Sequence, residues 1–208
     1  MENMLEVYQR SYDDTHPLIG MDESSKQLVK DVRVPLSSRP GEPEKYDTEY
    51  ERNGVRNLFL FFEPLTGKRY VNVTEQRTAV AWALQIQELV DSRYPHAERI
   101  TLVMDNLNTH VGASLYKAFE PQTARRRLDK LDIHYTPKHG SWLNMAELEL
   151  SVLTRQCLDR RIPDQETLER EVKAWESPRN ASSAPVKWRF TTADARIKLK
   201  RLYPSPQR

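Results

Sequence analysis

Two aspartates stand where short apolar runs end. PLIGM at residues 17–21 is followed by Asp22, and ITLVM at residues 100–104 by Asp105. Uninterrupted runs of this kind mark strands buried on both faces, and open α/β sheets bind ligands just outside the carboxyl ends of their strands. Either aspartate taken singly is as readily a turn former or a helix cap; the pair, on neighbouring strands, is a place for chemistry. A third carboxylate, Glu147, lies in GSWLNMAELELSVL, where Asn144 can cap a helix starting at Met145. Asn-x-x-Glu imitates a capping box, so the same spacing also admits a purely structural Glu147. Glu149 points about 200° around that helix from Glu147 at ~3.6 residues per turn, so only one of the two can face a common site.

Three carboxylates suit a hard, octahedral, oxygen-seeking cation such as Mg²⁺, which is usually held by a few carboxylates plus substrate phosphate. Two such ions about 3.5–4 Å apart can serve an in-line phosphodiester displacement. Rival chemistries lack their residues. The sequence has no HExxH, Gly-rich phosphate loop, GxSxG or CxxC, which disfavours a zinc hydrolase, a phosphate-loop enzyme, a serine hydrolase and a dithiol redox protein.

The elements that must carry these acids follow from periodicity. Strands are expected at residues 17–21, at 31–36 with alternating Val32, Val34 and Leu36, at 56–62 (RNLFLFF), at 69–73 (RYVNV), at 100–104 and at 132–136 (DIHYT). Helical spacing runs through Ala79, Trp82, Ala83, Ile86, Leu89 and Val90, with Thr74 as its expected cap. Leu115, Phe119, Leu128 and Leu131 predict one or two helices after Asp105. A further helix runs from Met145 to about Arg160, and another, capped by Asp164, carries Leu168, Val172 and Trp175 on one face. Loops are expected over residues 37–52 and 177–185. Strands followed by alternating helix and strand give an α/β layout, a mixed sheet with crossover helices.

Composition narrows the class. The 208 residues and 24.4 kDa fit one ordinary domain with one sizeable core. The single cysteine, Cys157, leaves no disulfide framework or thiolate zinc cage and reads as a small core residue. No run approaches the ~18–20 apolar residues of a membrane span, and MENMLEVYQR has no secretory character, so a soluble cytoplasmic protein is expected. The net charge of +2 hides an asymmetry: residues 1–54 carry 12 acidic and 7 basic side chains, residues 179–208 one acidic and 8 basic. A basic end on a near-neutral domain is either a solvated helix or a polyanion contact.

With these residues in place, the chain resembles a DDE transposase. MDESSKQL around Asp22, LVMDNLNTH around Asp105 and HYTPKHGSWLNMAELELSVL around Glu147 carry the likeness, with 82 residues between the aspartates and 41 between Asp105 and Glu147. The nearest pattern is the bacterial insertion sequence 630 family of the Tc/mariner superfamily, and KWRFTTADARIKLKRLYP resembles its C-terminal end. The resemblance implies a ribonuclease H-like fold, a mixed central sheet flanked by helices, over residues 1–204, with 205–208 as a tail. It implies Asp22, Asp105 and Glu147 as catalytic metal ligands for a two-ion Mg²⁺ site in which Mn²⁺ can substitute. It also implies double-stranded DNA, transposon ends and target, as the partner, with action at the bacterial nucleoid and no membrane. The last spacing exceeds that of eukaryotic mariner relatives, so an insertion is expected around residues 119–127. The family's helix-turn-helix that reads the transposon end has no counterpart before Leu5. A homodimer, or association with an upstream DNA-reading domain, is therefore expected.

Other residues carry weaker expectations. Lys138, His139 and Trp142 could grip phosphate or stack on a base, against a connecting loop with Trp142 packed in the core. His110 is expected at the surface, with an approach to the metals as the lesser reading. Arg125, Arg126 and Arg127 read as a solvated face. In the tail, Lys187, Arg189, Lys198, Lys200 and Arg201 are candidates for DNA contact. Two rivals to a DNA-cutting and strand-transfer enzyme remain: a catalytically idle transposase remnant that binds DNA or a partner, and another ribonuclease H-like nuclease.

Overall fold

The structure is a computed structural model describing residues 1–138 and 140–203; His139 and residues 204–208, the expected tail among them, lie outside the described residues. The strands are β1 (Leu18–Asp31), β2 (Tyr50–Glu63), β3 (Lys68–Thr74), β4 (Ile100–Met104) and β5 (Leu131–Tyr135). The α-helices are α1 (Glu2–Val7), α2 (Ala79–Gln87), α3 (Leu115–Ala118), α4 (Pro121–Asp129), α5 (Met145–Leu153), α6 (Gln165–Ser182) and α7 (Thr192–Lys198). One five-stranded sheet has the order β3-β2-β1-β4-β5. Its first three strands pair antiparallel, while β4 lies parallel to both β1 and β5. This is the mixed α/β sheet that the sequence predicts.

Period-two alternation divides the core into two layers. Leu58, Leu60 and Phe62 of β2 face α1, α5 and α6, together with Leu18 and Val103. Phe59 and Phe61 turn to the other side, where Ile19, Met21, Leu102 and Met104 pack on Trp82, Ile86 and Leu115. Apolar side chains on both faces explain why β1 and β4 read as unbroken apolar runs.

Several expectations need correction: Leu131, expected on a helix, opens β5, and residues 50–52 of the loop expected over 37–52 belong to β2. Residues 31–36 form no strand: β1 runs on to Asp31, its polar half paired with Tyr50, Arg52 and Arg56 of β2 in an outlying antiparallel arm. Val34 beyond it is 91% exposed, because alternation without a sheet face to pack on specifies nothing. Thr74 ends β3, and Thr78 caps α2 by accepting from the Ala81 N–H. The expected loop at 177–185 is mostly helix, since α6 continues through Pro178 to Ser182. Asn180 explains the override: its side chain accepts from the Arg69 N–H at 2.9 Å and donates to the Arg69 carbonyl at 2.7 Å, taking the place of a sixth strand at the β3 edge. Lastly, Arg127 leaves the solvated face. It is buried, donates to Asp91 at 2.7 Å and lies 4.0 Å over the Phe119 ring. Arg125 and Arg126 stay exposed, and the stretch expected to hold an insertion contributes α4.

Candidate functional site

β1 and β4 pair in register at Leu18–Thr101, Ile19–Leu102 and Gly20–Val103. Two residues beyond the last pair on each strand stand Asp22 and Asp105, so the register sets the two aspartates level on adjacent strands, which in a sheet run ~4.8 Å apart. The third acid arrives with α5. A Cβ on Gly20 would meet the Ala146 nitrogen at 3.3 Å, so the absent side chain is what lets the start of α5 lie against β1. Asn144 pins the approach: its side chain accepts from the Ala146 N–H at 3.1 Å and donates to the Met21 carbonyl at 3.0 Å.

Asn144 thus caps α5 as the sequence predicts, but the reciprocal half of a capping box is missing, because the Asn144 N–H donates to the Ser141 carbonyl at 2.7 Å. Glu147 is released from that duty. Its neighbour Glu149 points away into the core, 3.1 Å from the buried Arg69 guanidinium and 3.3 Å from Arg179. The expected division between the two glutamates holds.

Asp22, Asp105 and Glu147 line one open cavity of about 400 Å³, together with Glu23, Asn144 and Ser141. Desolvation is the largest influence on Asp22, and the nearby charges of Asp105, Glu147 and Glu23 add to it, raising its pKa from 3.8 to about 7. Desolvation together with like charges at close quarters makes this cavity a candidate cation site. Among the described residues, no three Asp, Glu, His or Cys side chains close into a ready cage. The donors are hard carboxylate oxygens in an open, polar cavity. That set fits divalent ions such as Mg²⁺, which keep several waters and use substrate phosphate to complete their shell.

Two residues at this site escape a reading of the sequence. Glu23, adjacent to Asp22, carries no motif of its own, and His110 is expected at the surface. Instead His110 is completely buried. Its Nδ1 lies 2.7 Å from Asp105 Oδ1 and its Nε2 2.9 Å from Glu23 Oε2. Burial opposes protonation of the ring, yet the hydrogen bonds to Asp105 and Glu23 outweigh it and raise the pKa to about 9. The available signal is the five-residue spacing from Asp105 to His110, which a tight turn folds back on itself.

The candidate DNA contacts divide. Lys138, Lys187, Arg189, Lys198, Lys200 and Arg201 are all exposed or half-buried at the surface. Trp142 is not a core residue: it is 40% exposed, in the turn at Ser141–Leu143 beside the cavity, with Phe190 edge-on at 6.1 Å. That contact brings the segment holding Lys187 and Arg189 alongside the turn, while Lys198 lies 5.7 Å over the Phe190 ring. Cys157 is buried, as expected. Among the described residues, no helix is long and apolar enough to cross a membrane.

Comparison with known proteins identifies the family and the fold. The family model described as DDE superfamily endonuclease matches residues 17–169. The Mos1 mariner paired end complex with Mn is similar at a TM-score of 0.55 and 16% identity, over 85% of this chain and 54% of that one. The Mos1 strand transfer complex gives 0.57 and 14%, over 85% and 52%. The catalytic domain of Mos1 mariner transposase gives 0.54 and 11%, over 85% and 80%. The shared architecture is the ribonuclease H-like fold, and the chain spans about half the length of the Mos1 chains in the two complexes. No curated protein matches the sequence.

Proposed function

Because the chain belongs to the DDE superfamily endonucleases, we propose that it is the catalytic domain of a Tc/mariner-type transposase, of the bacterial insertion sequence 630 pattern, which cuts DNA at transposon ends and joins the freed end to target DNA. The observation that carries this reading is the shared cavity of Asp22, Asp105 and Glu147, with the Asp22 pKa raised to about 7 partly by its acidic neighbours.

Asp22, from within β1, and Asp105, just past β4, would hold a pair of Mg²⁺ or Mn²⁺ ions, and Glu147 would complete the set from α5. When bound, such a pair activates the attacking oxygen and stabilises the leaving one. The protein's part is positional. β1 and β4 fix the two aspartates level with each other, and the Asn144 clamp sets the distance of Glu147 from them. In the first step a water oxygen attacks the scissile phosphorus and the P–O3′ bond breaks, leaving a 3′-hydroxyl. In the second, that hydroxyl attacks a target phosphodiester and displaces a target 3′-oxygen.

Duplex DNA is the partner on this reading, and the site of action is the bacterial nucleoid. Lys138 and Trp142, in the segment between and beside the cavity residues Thr136 and Ser141, would contact the DNA, Trp142 as a base-stacking platform, and Lys187, Arg189, Lys198, Lys200 and Arg201 would supply further phosphate contacts. His139 belongs to the same stretch of sequence. A second copy of the chain and a DNA-reading domain are its protein partners on this reading.

Two experiments test this. An oligonucleotide duplex bearing the element's end, incubated with a supercoiled plasmid and Mg²⁺, yields a covalently joined product; cleavage of an RNA–DNA hybrid or a four-way junction with no joining would favour the other nuclease reading, and binding without nicking the idle remnant. The triple variant Lys198→Ala, Lys200→Ala, Arg201→Ala weakens duplex binding evenly across sequences. By fluorescence anisotropy, the slope of log K against log salt falls by about 0.9 for each phosphate that the protein no longer neutralises, up to ~3. An unchanged slope removes the tail from the DNA track.

A further inference from the structure

His110 is completely buried beside an open, acidic cavity, and nothing in the proposed chemistry uses it. Both ring nitrogens are engaged, Nδ1 with Asp105 Oδ1 at 2.7 Å and Nε2 with Glu23 Oε2 at 2.9 Å. The imidazole cannot turn. It stacks on Trp82 with centroids 5.9 Å apart and planes 28° from parallel. Its backbone carbonyl accepts from the Tyr135 hydroxyl at 2.7 Å, and its N–H donates to the Leu107 carbonyl at 2.9 Å. One side of the imidazole is therefore anchored to β5 and α2, the other to β1 through Glu23.

Asp105 is the opposite case. It lies one residue past β4, in irregular backbone, with its side chain 39% exposed. Nothing in its own local structure fixes its χ1. Glu23 is 4% exposed and belongs to regular strand, directly after Asp22. The imidazole thus ties a loose carboxylate to a rigid one across the gap between two strands.

We propose that His110 is a positioning residue for Asp105. Resting on the reading of Asp105 as a metal ligand, it fixes the Asp105 carboxylate by holding Oδ1, leaving Oδ2 and the remaining lone pair of Oδ1 for the cavity, and keys that orientation to β1 through Glu23. Partners of this outer kind orient metal ligands, and their loss typically weakens metal affinity or activity by about 10–100-fold.

The geometry separates two conservative substitutions. An asparagine amide reaches as far as Nδ1 and can still donate to Asp105, whereas a glutamine amide reaches as far as Nε2 and serves Glu23 instead. The test uses the full chain and Mn²⁺ alone, with binding read from the free-ion electron paramagnetic resonance signal and folding checked by thermal melting. His110→Gln weakens Mn²⁺ binding about 10–100-fold while still folding, and His110→Asn stays within about threefold of the parent. The Mg²⁺ concentration for half-maximal cleavage follows the same ranking. Parent-like Mn²⁺ affinity in folded His110→Gln, or equal losses in the two variants, overturns the proposal. Asp105→Ala separates the layers: if it binds Mn²⁺ like the parent, the metal-ligand reading itself fails, and the positioning role with it.

Discussion

Replacing Asp105 with alanine lowers Mg²⁺-dependent cleavage by at least about a thousandfold while the domain stays folded. Metal ions contribute several kcal/mol of transition-state stabilisation, and each ~1.36 kcal/mol is a factor of ten in rate; three such factors are a floor. The fold survives because Asp105 sits past the end of β4, packed into neither core layer; losing its hydrogen bond to buried His110 lowers the melting temperature without unfolding the domain. Asp22→Asn and Glu147→Gln lose the same order of activity, since each keeps its shape and surrenders only charge. The three losses do not add, because the acids act as one unit. Single-turnover cleavage with circular dichroism of each variant checks this. A folded Asp105→Ala protein cutting at the parental rate removes the residue from the site.

The metal-free protein is less stable at neutral pH than at pH 5, and Asp22 accounts for most of that difference. Its folded pKa of about 7 lies above its ordinary value of 3.8, so between these values the folded state binds a proton that the unfolded state does not. Stability therefore falls as pH rises through this window, and the penalty is fully present above about 7. At ~1.36 kcal/mol per pH unit the penalty is on the order of 2–4 kcal/mol. His110 acts in the same direction over a higher range: its stabilisation is complete below 6.5 and is lost as pH rises through about 9. Asp22→Asn removes the lower window and leaves the upper one. Thermal melts between pH 5 and 6.5 in a chelating buffer thus slope downward for the parent and run nearly flat for Asp22→Asn. Adding Mn²⁺ at pH 7.5 raises the parental melting temperature and leaves that of the variant unchanged. Equal slopes for the two proteins would mean that burial beside its acidic neighbours does not keep Asp22 protonated.

The residues that read most clearly from sequence are those whose local pattern and global place agree. PLIGM and ITLVM look like buried strands because side chains from both core layers pack on them. The acids that follow are set by strand register, which no local preference opposes. Asn144 is legible for the same reason: a cap is a local device, and here it is also the clamp on β1. Where tertiary contacts overrule local preference, the sequence misleads. Pro178 reads as a break, yet the Asn180 contacts with β3 carry α6 past it. Val32, Val34 and Leu36 alternate like a strand but have no sheet to join. His110 hides differently, since its two carboxylate partners stand 5 and 87 residues away, and only the completed β1–β4 pairing brings them together. Trp142 looks like core by residue type, and its exposure depends on where the C-terminal segment runs.

Anomalous scattering from Mn²⁺ in crystals of the domain bound to a cleaved-end duplex tests the central claim most directly. The account predicts two peaks about 3.5–4 Å apart in the cavity beside Asp22 of β1 and the end of β4, bonded between them to oxygens of Asp22, Asp105 and Glu147 and to the phosphate at the cut. Mn²⁺ seated elsewhere, or a cavity in which the Asp105 or Glu147 carboxylate turns away from bound metal and DNA, would contradict it.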